Sequence, residues 1–320
     1  MGESTSASGD YSTAMNRSTI ASGAESTAMG FSSTASGALS VAMGFNTQAI
    51  GQSSFTVGSS NVAYGNSSIA MGSSTSASGF ASTAMGYYTY AGGNASTAMG
   101  EGTSASGNYS TAMGVYVSTN GKDGSFIIGD DNGGHFTTHN TDSNQMMMRF
   151  ANGYVLYTND STTIGVQVGA GGNSWSVISD RRRKENFSAV NGEDFLKKID
   201  NFNLTSWNYK GQDARTFRHY GPMAQDFYAA FGKDSYGSIG NDTTINQADF
   251  EGVSFIAIQA LERRTQEQTD KINELEKKVN ALSTENAVLK GKADKVASLT
   301  ERLDALEASL NEKDKAVTVK

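Results

Sequence analysis

The stretch Ser33–Asn46, STASGALSVAMGFN, divides into two similar sevens, STASGAL and SVAMGFN. Each seven places Ala third and Gly fifth. The residue between them alternates, Ser36 in one and Met43 in the other. Carried outward, the frame puts alanine at every seventh position from Ala7 to Ala112, with Thr56 the exception. Glycine follows two residues later from Gly9 to Gly114, with Asn16 the exception. The true period is therefore fourteen residues. Self-similarity at a fixed period is the signature of a solenoid, in which each unit buries its face on the next.

Each seven carries a short alternating segment, such as Ser110-Thr111-Ala112-Met113, which reads as a strand. The glycine after it is expected to supply the backbone conformation of a tight turn. Two strands and two turns per coil give a narrow β-roll, and eight coils would stack to about 38 Å. Coils this thin hold little core, so several copies are expected to pack side by side. Ser, Gly and Thr dominate the region, but disorder does not require a register held over sixteen sevens.

The repeat resembles the YadA-like head of trimeric autotransporter adhesins. The resemblance covers residues 1–115 and implies a homotrimer of left-handed parallel β-rolls. Met and Ser stand here where those heads often carry Ile or Val. Up to Gly114 the only carboxylates are Glu3, Asp10, Glu25 and Glu101, the only basic side chain is Arg17, and there is no His. Paired carboxylates for glycoside hydrolysis are missing, so the head is read as a binder or spacer rather than a catalyst. Tyr64, Tyr87, Tyr88, Tyr90 and Tyr109 suit either a sugar- or protein-binding surface or packing between coils or subunits, the second being preferred.

The 320 residues suffice for two or three structural units, and the formal net charge of -7 speaks against whole-chain affinity for nucleic acid or anionic lipid. Cysteine is absent, which removes disulfide and thiol chemistry. Glycine is high at 36 and proline low at one, which argues against collagen and against a Pro-rich linker. No apolar run is long enough to span a membrane. No secretory signal stands between Met1 and the repeat, so an attachment region preceding this chain is expected.

From residue 116 to 178 the period lapses. GSFIIGDD, QMMMRFANGYVLYTN and TTIGVQVG read as short strands joined by turns. His135 and His139 stand four apart, but without a third ligand nearby no metal is assigned. Met146 to Met148 are assigned to a core or a subunit seam. This stretch is similar to the β-rich stem modules found before the chaperone domain of phage tail fibres.

After Phe187 the character changes. GEDFLKKI reads as a helix, NFNLTSWNYK as a strand, and RHYGPMAQDFYAAFG as a turn feeding a helix with Pro222 near its first position. A long helix is expected from Phe255. Ile258, Leu261, Thr265, Gln268, Ile272, Leu275, Val279, Leu282, Asn286 and Leu289 alternate three and four apart, a coiled-coil seam. The seam slips near Gly291 and resumes at Val296.

Three features follow in order: SDRRRKEN, then HYGPMAQDF, then a helix headed by VSFIAIQALE. Together they resemble the intramolecular chaperone domain of endosialidase-type tailspikes, over roughly residues 175–290. The resemblance implies a small α+β domain that trimerises, drives folding of the fibre ahead of it, and cuts itself off before the Ser of an S-D-x-x-x-K motif. Carried onto this chain, the scissile bond is Ile178–Ser179, the nucleophile Ser179 and the base Lys184. Asp180, Asn186 and His219 match family positions and take supporting roles. A lysine acts as a base only when neutral, and its reference pKa is about 10.4. Burial and nearby positive charge both lower such a value. Arg181, Arg182 and Arg183 would supply charge and assembly would supply burial, although at least one of the three arginines is expected to lie in a solvated or salt-bridged turn.

The expected organisation is a mainly β fibrous homotrimer: head 1–115, stem 116–178, autoprotease core 179–252, and coiled coil 253–320. The protein is read as a tail fibre or adhesin of a virion or cell surface, with a cell-surface receptor, glycan or protein, as the head's partner. No cofactor, nucleic-acid partner or membrane insertion is expected. The polar ending NEKDKAVTVK lacks the alternating apolar strands of a membrane β-barrel anchor. A chain that never cleaves, with Ser179 and Lys184 inert, is the competing reading.

Overall fold

A computed structural model of the chain describes residues 2–317 apart from 132, 135, 235 and 236, with side chains described up to 312. His135 therefore lies outside the described residues. The chain forms two compact units, residues 1–183 and 184–320.

The first unit is a parallel β-solenoid followed by a small antiparallel sheet. Two ten-stranded sheets run its length, one of short strands such as Gln48–Ala49 and one of five-residue strands such as Val41–Phe45. Each strand pairs with its equivalent one coil on: Ala28 with Ala42, Met29 with Met43, Gly30 with Gly44. Ten strands stacked at one strand spacing span about 43 Å.

The interior is made of small residues. The seventh-position alanines from Ala21 to Ala112 are fully buried, as are hydroxyl columns that include Ser40, Thr47 and Ser68. The hydroxyls bond across and along the stack, Thr47 to Ser33 at 3.0 Å and Ser33 to the Gly44 carbonyl at 2.9 Å. Asn61 fills the same column. Its amide donates to the carbonyls of Val57 and Gly72 at 2.7 and 2.8 Å and accepts from Thr75.

The glycines have a different task from the one expected. The left-handed turn positions are held by residues with side chains, Asn46 at φ 52° and Ser53 at φ 55° in one coil. Gly44 lies inside a strand at φ +128°, and a Cβ there would stand 2.1 Å from the Gly58 carbonyl oxygen. Gly37 has the same close approach, 2.0 Å to the Gly51 oxygen. The register of glycine is thus a packing requirement between coils.

The two sheets do not end where the period lapses. Gly114 pairs with Gly129, a step of fifteen, and Phe126 with Met146, a step of twenty. The extra residues sit in the turns, and the strands keep stacking to Arg149. Arg149 donates to the Val115 carbonyl at 3.1 Å and pairs with Asp130 at 3.7 Å, closing this end. Met147 packs against the inner core beside Ile127, while Met146 and Met148 face outward.

The outer face of the long sheet carries an apolar ladder. Met29, Met43, Val57, Met71, Met85, Met99 and Met113 follow one another in register and continue through Ile128 to Met148. Beside it Phe31 stacks on Phe45, rings 5.4 Å apart and 6° from parallel, with the Arg17 guanidinium 5.3 Å from the Phe31 ring. The five tyrosines named above are all exposed on the single chain.

In the second unit, α1 (Gly192–Asp200) is capped by the Asn191 side chain, which accepts the Glu193 N–H at 3.0 Å. Acidic Glu193 and Asp194 at its start and Lys197 and Lys198 at its end suit the helix dipole. An antiparallel pair, Thr205–Trp207 with His219–Gly221, precedes α2 (Ala224–Phe231). His219 to Gly221 thus forms a strand where a turn was expected, and Pro222 precedes the Met223 cap position, outside the helix. Phe227, Phe231 and Val253 make a small core with Phe195, Ile199 and Phe202 packed against it.

The last helix, α3 (Gln247–Val317), begins eight residues before Phe255. Asn246 starts it by accepting the Ala248 N–H at 2.9 Å. Its first turns pack on α1, where Gly192 lies so close to Ala260 that a Cβ would meet that methyl at 2.8 Å. Arg264 pairs with Glu193, Nε to both carboxylate oxygens at 3.0 and 2.9 Å. From residue 261 to 312 every residue is exposed, the seam included. The helix runs unbroken through Gly291. Among the described residues no helix is long and apolar enough to cross a membrane.

Candidate functional site

The stem sheet delivers the chain to the SDRRRK segment. Its first two strands, Gly153–Tyr157 and Gly165–Gly169, form a hairpin. The third, Ser176–Val177, lies antiparallel to the second, with Val177 opposite Val166 and Ser176 opposite Gln167. One residue on, the Ile178 N–H donates to the Gly165 carbonyl at 3.2 Å. Ile178 is half-buried and Ser179 exposed.

Asp180 then turns the chain. Its Oδ1 accepts the Arg182 N–H at 2.9 Å, an Asx-type turn, and its carbonyl accepts the Arg183 N–H at 3.0 Å. A single 3-10 turn follows, Arg181–Arg183. The Arg182 guanidinium folds back on the same carboxylate, Nε to both oxygens at 3.1 Å and Nη2 to Oδ2 at 2.7 Å. These bonds from the Arg182 side chain and backbone, with Arg183 nearby, hold the Asp180 carboxyl below its ordinary value against slight desolvation. The same pair raises Arg182. One arginine of the three is therefore committed to Asp180, as the sequence led us to expect. The identical clip recurs at Asp213, whose Oδ1 accepts the Arg215 N–H at 2.9 Å and whose Oδ2 accepts Nη2 at 3.0 Å.

The division between the two units falls between Arg183 and Lys184. Lys184 and Asn186 are exposed, and Asn186 takes a left-handed φ of 57°. His219 sits on its strand opposite Trp207, rings stacked at 4.7 Å and 25°, with Tyr209 edge-on at 5.5 Å. Its Nε2 and the Trp207 Nε1 are buried without a hydrogen-bond partner among the described residues. Trp207 and Tyr209 escaped the sequence reading; Tyr209 stands two residues beyond Trp207, past the end of the strand Thr205–Trp207. Gly165 escaped it too, because nothing local marks a carbonyl that anchors a strand further along the chain.

Comparison with known families matches both ends of the chain. Residues 1–15, 21–47, 49–75, 77–100 and 91–116 match the YadA head domain repeat. Residues 179–234 match the peptidase S74 family, described as the chaperone of endosialidase. The chain thus joins YadA head repeats to a chaperone-of-endosialidase domain. No curated protein matches the chain.

Proposed function

We propose that the chain is the subunit of a trimeric, tail-fibre- or adhesin-like fibre whose C-terminal domain directs assembly and then severs itself at Ile178–Ser179. The observation that carries this reading is where the chaperone family begins: its match starts at Ser179, directly after the last stem strand. A processed chain would leave the solenoid and stem complete and release the family domain with its helix.

The need for partner copies has physical support. On the single chain the methionine ladder of the head is only half-buried and the seam of α3 is exposed, with Leu275 at 48 % and Leu282 at 58 %. Fully burying such a side chain contributes about 1.5–3 kcal/mol, so two long unpartnered rows favour association. Parallel coils with only non-local pairing fold slowly, and a helix that trimerises first would set their register. Removing that helix afterwards would make unfolding irreversible in practice and stability kinetic. The two matched families support a location on a virion or outside a cell, where a surface ligand would be the head's partner.

In the reaction, Ser179 Oγ attacks the Ile178 carbonyl carbon while neutral Lys184 Nζ takes its proton. The C–N bond breaks, the Ser179 nitrogen receives that proton as a free amine, and an ester joins Ile178 to Oγ. Water then hydrolyses the ester to the Ile178 carboxylate and restores the hydroxyl. Intact mass under denaturing conditions, on freshly made wild type beside Ser179→Ala, tests this. A fragment beginning at Ser179 in the wild type alone is expected. Full-length chains in both samples would leave a permanent, non-cleaving fibre, and a fragment persisting in the variant would remove Ser179 from the chemistry.

A further inference from the structure

We infer that the Ile178–Ser179 peptide is held between two hydrogen-bonded clamps, and that the Gly165 carbonyl and the Asp180 carboxylate are positioning groups for its cleavage. The inference rests on the reading that this bond is the one cut. On the amino side the clamp is the stem sheet, where Ile178 extends the third strand by donating to Gly165 at 3.2 Å. Gly165 is confined to its place: a Cβ there would stand 2.2 Å from the Leu156 carbonyl oxygen of the first strand. The acceptor is therefore fixed from both sides of the sheet.

On the carboxyl side the clamp is the Asp180 turn. Its side chain takes the Arg182 N–H and guanidinium, and its carbonyl takes the Arg183 N–H. Ser179 is the single residue between the two frames. An attack by a serine on the carbonyl that precedes it depends on few torsions, and clamping both ends restricts the conformers available to them. Either clamp orders about one residue's backbone, which corresponds to roughly a tenfold population of the reactive geometry. The sheet clamp also predicts that the product carboxylate stays on the stem after the domain leaves.

Three variants test this, each followed by intact mass after cell-free synthesis, with the oligomeric state measured alongside. Inserting Gly-Gly between Val177 and Ile178 keeps the scissile pair and the whole SDRRRK segment but detaches them from Gly165. Asp180→Ala removes the second clamp, and Asp180→Asn keeps an acceptor for the Arg182 N–H. The insertion and Asp180→Ala should each slow cleavage about tenfold or more in assembled protein. Asp180→Asn should recover part of the rate, which a merely structural loss would not. Hydrogen exchange on uncleaved Ser179→Ala protein should show the Ile178 amide protected. Wild-type rates in both the insertion and Asp180→Ala would overturn the clamps while leaving self-cleavage standing. An unprotected Ile178 amide would overturn the sheet clamp whatever the rates. A wild type that never cleaves would instead bring down the proposed function and this inference with it.

Discussion

Glycine between coils makes the sharpest prediction about the head. Gly72 stands at φ +117° inside a strand, and a Cβ there would lie 2.1 Å from the Gly86 carbonyl oxygen. Gly121 stands at φ +71° with nothing within 4 Å of such a Cβ. Alanine at Gly121 should therefore cost only backbone strain, about 1–2 kcal/mol. Alanine at Gly72 adds an overlap of more than an ångström with backbone that cannot swing aside. The coils must open locally and give up two or three ladder bonds at about 1 kcal/mol each. The total is about 3–5 kcal/mol per chain, two to three times the Gly121 cost. Thermal and guanidinium unfolding of the two variants beside wild type, in the same oligomeric state, would measure it. Equal destabilisation at the two sites would show that glycine is required here for its dihedral angles alone.

Asn61→Ala should destabilise the head by about 2–4 kcal/mol in denaturant unfolding, because it strands the Thr75 hydroxyl and two carbonyls in a dry column. Leu275→Lys together with Leu282→Lys should abolish association through α3, read as a fall in mass by sedimentation, while leaving the α1–α3 contact at Arg264 and Glu193 intact. The Asp180 clip should depend on pH in one direction. Its carboxyl is depressed in the folded chain, so its contribution is complete above the unfolded value near 3.8 and is lost as pH falls through the lower folded value. Arg182→Ala should let the Asp180 titration move up toward the ordinary carboxylate range, seen by carboxyl-resolved NMR titration.

Much of the head was legible in its repeat. Ala, Gly and the alternating Ser or Met fix a coil of fourteen residues, and the fourteen-step register of pairs such as Ala28 with Ala42 follows. The continuation to Arg149 was not legible, because an insertion in a turn destroys a sequence period without disturbing the stacking of strands. The start of α3 was missed although Asn246 carries a cap signal, since the seam that drew attention begins later. At the candidate site, Asp180 with Arg182 two residues on is a purely local clip and could be anticipated from the run of charge. The Gly165 acceptor and the Trp207–His219 stack depend on which strand lies opposite which.

The sequence by itself determined the repeat, the helix seam and the order of the parts, because each is a pattern of side chains a few bonds apart. Only the tertiary structure decided why the glycines recur, how far the solenoid runs and what anchors the residue before Ser179. Those depend on backbone approaching backbone across a turn of the coil or a sheet. A close approach of two main chains leaves little mark on composition beyond the absence of a side chain.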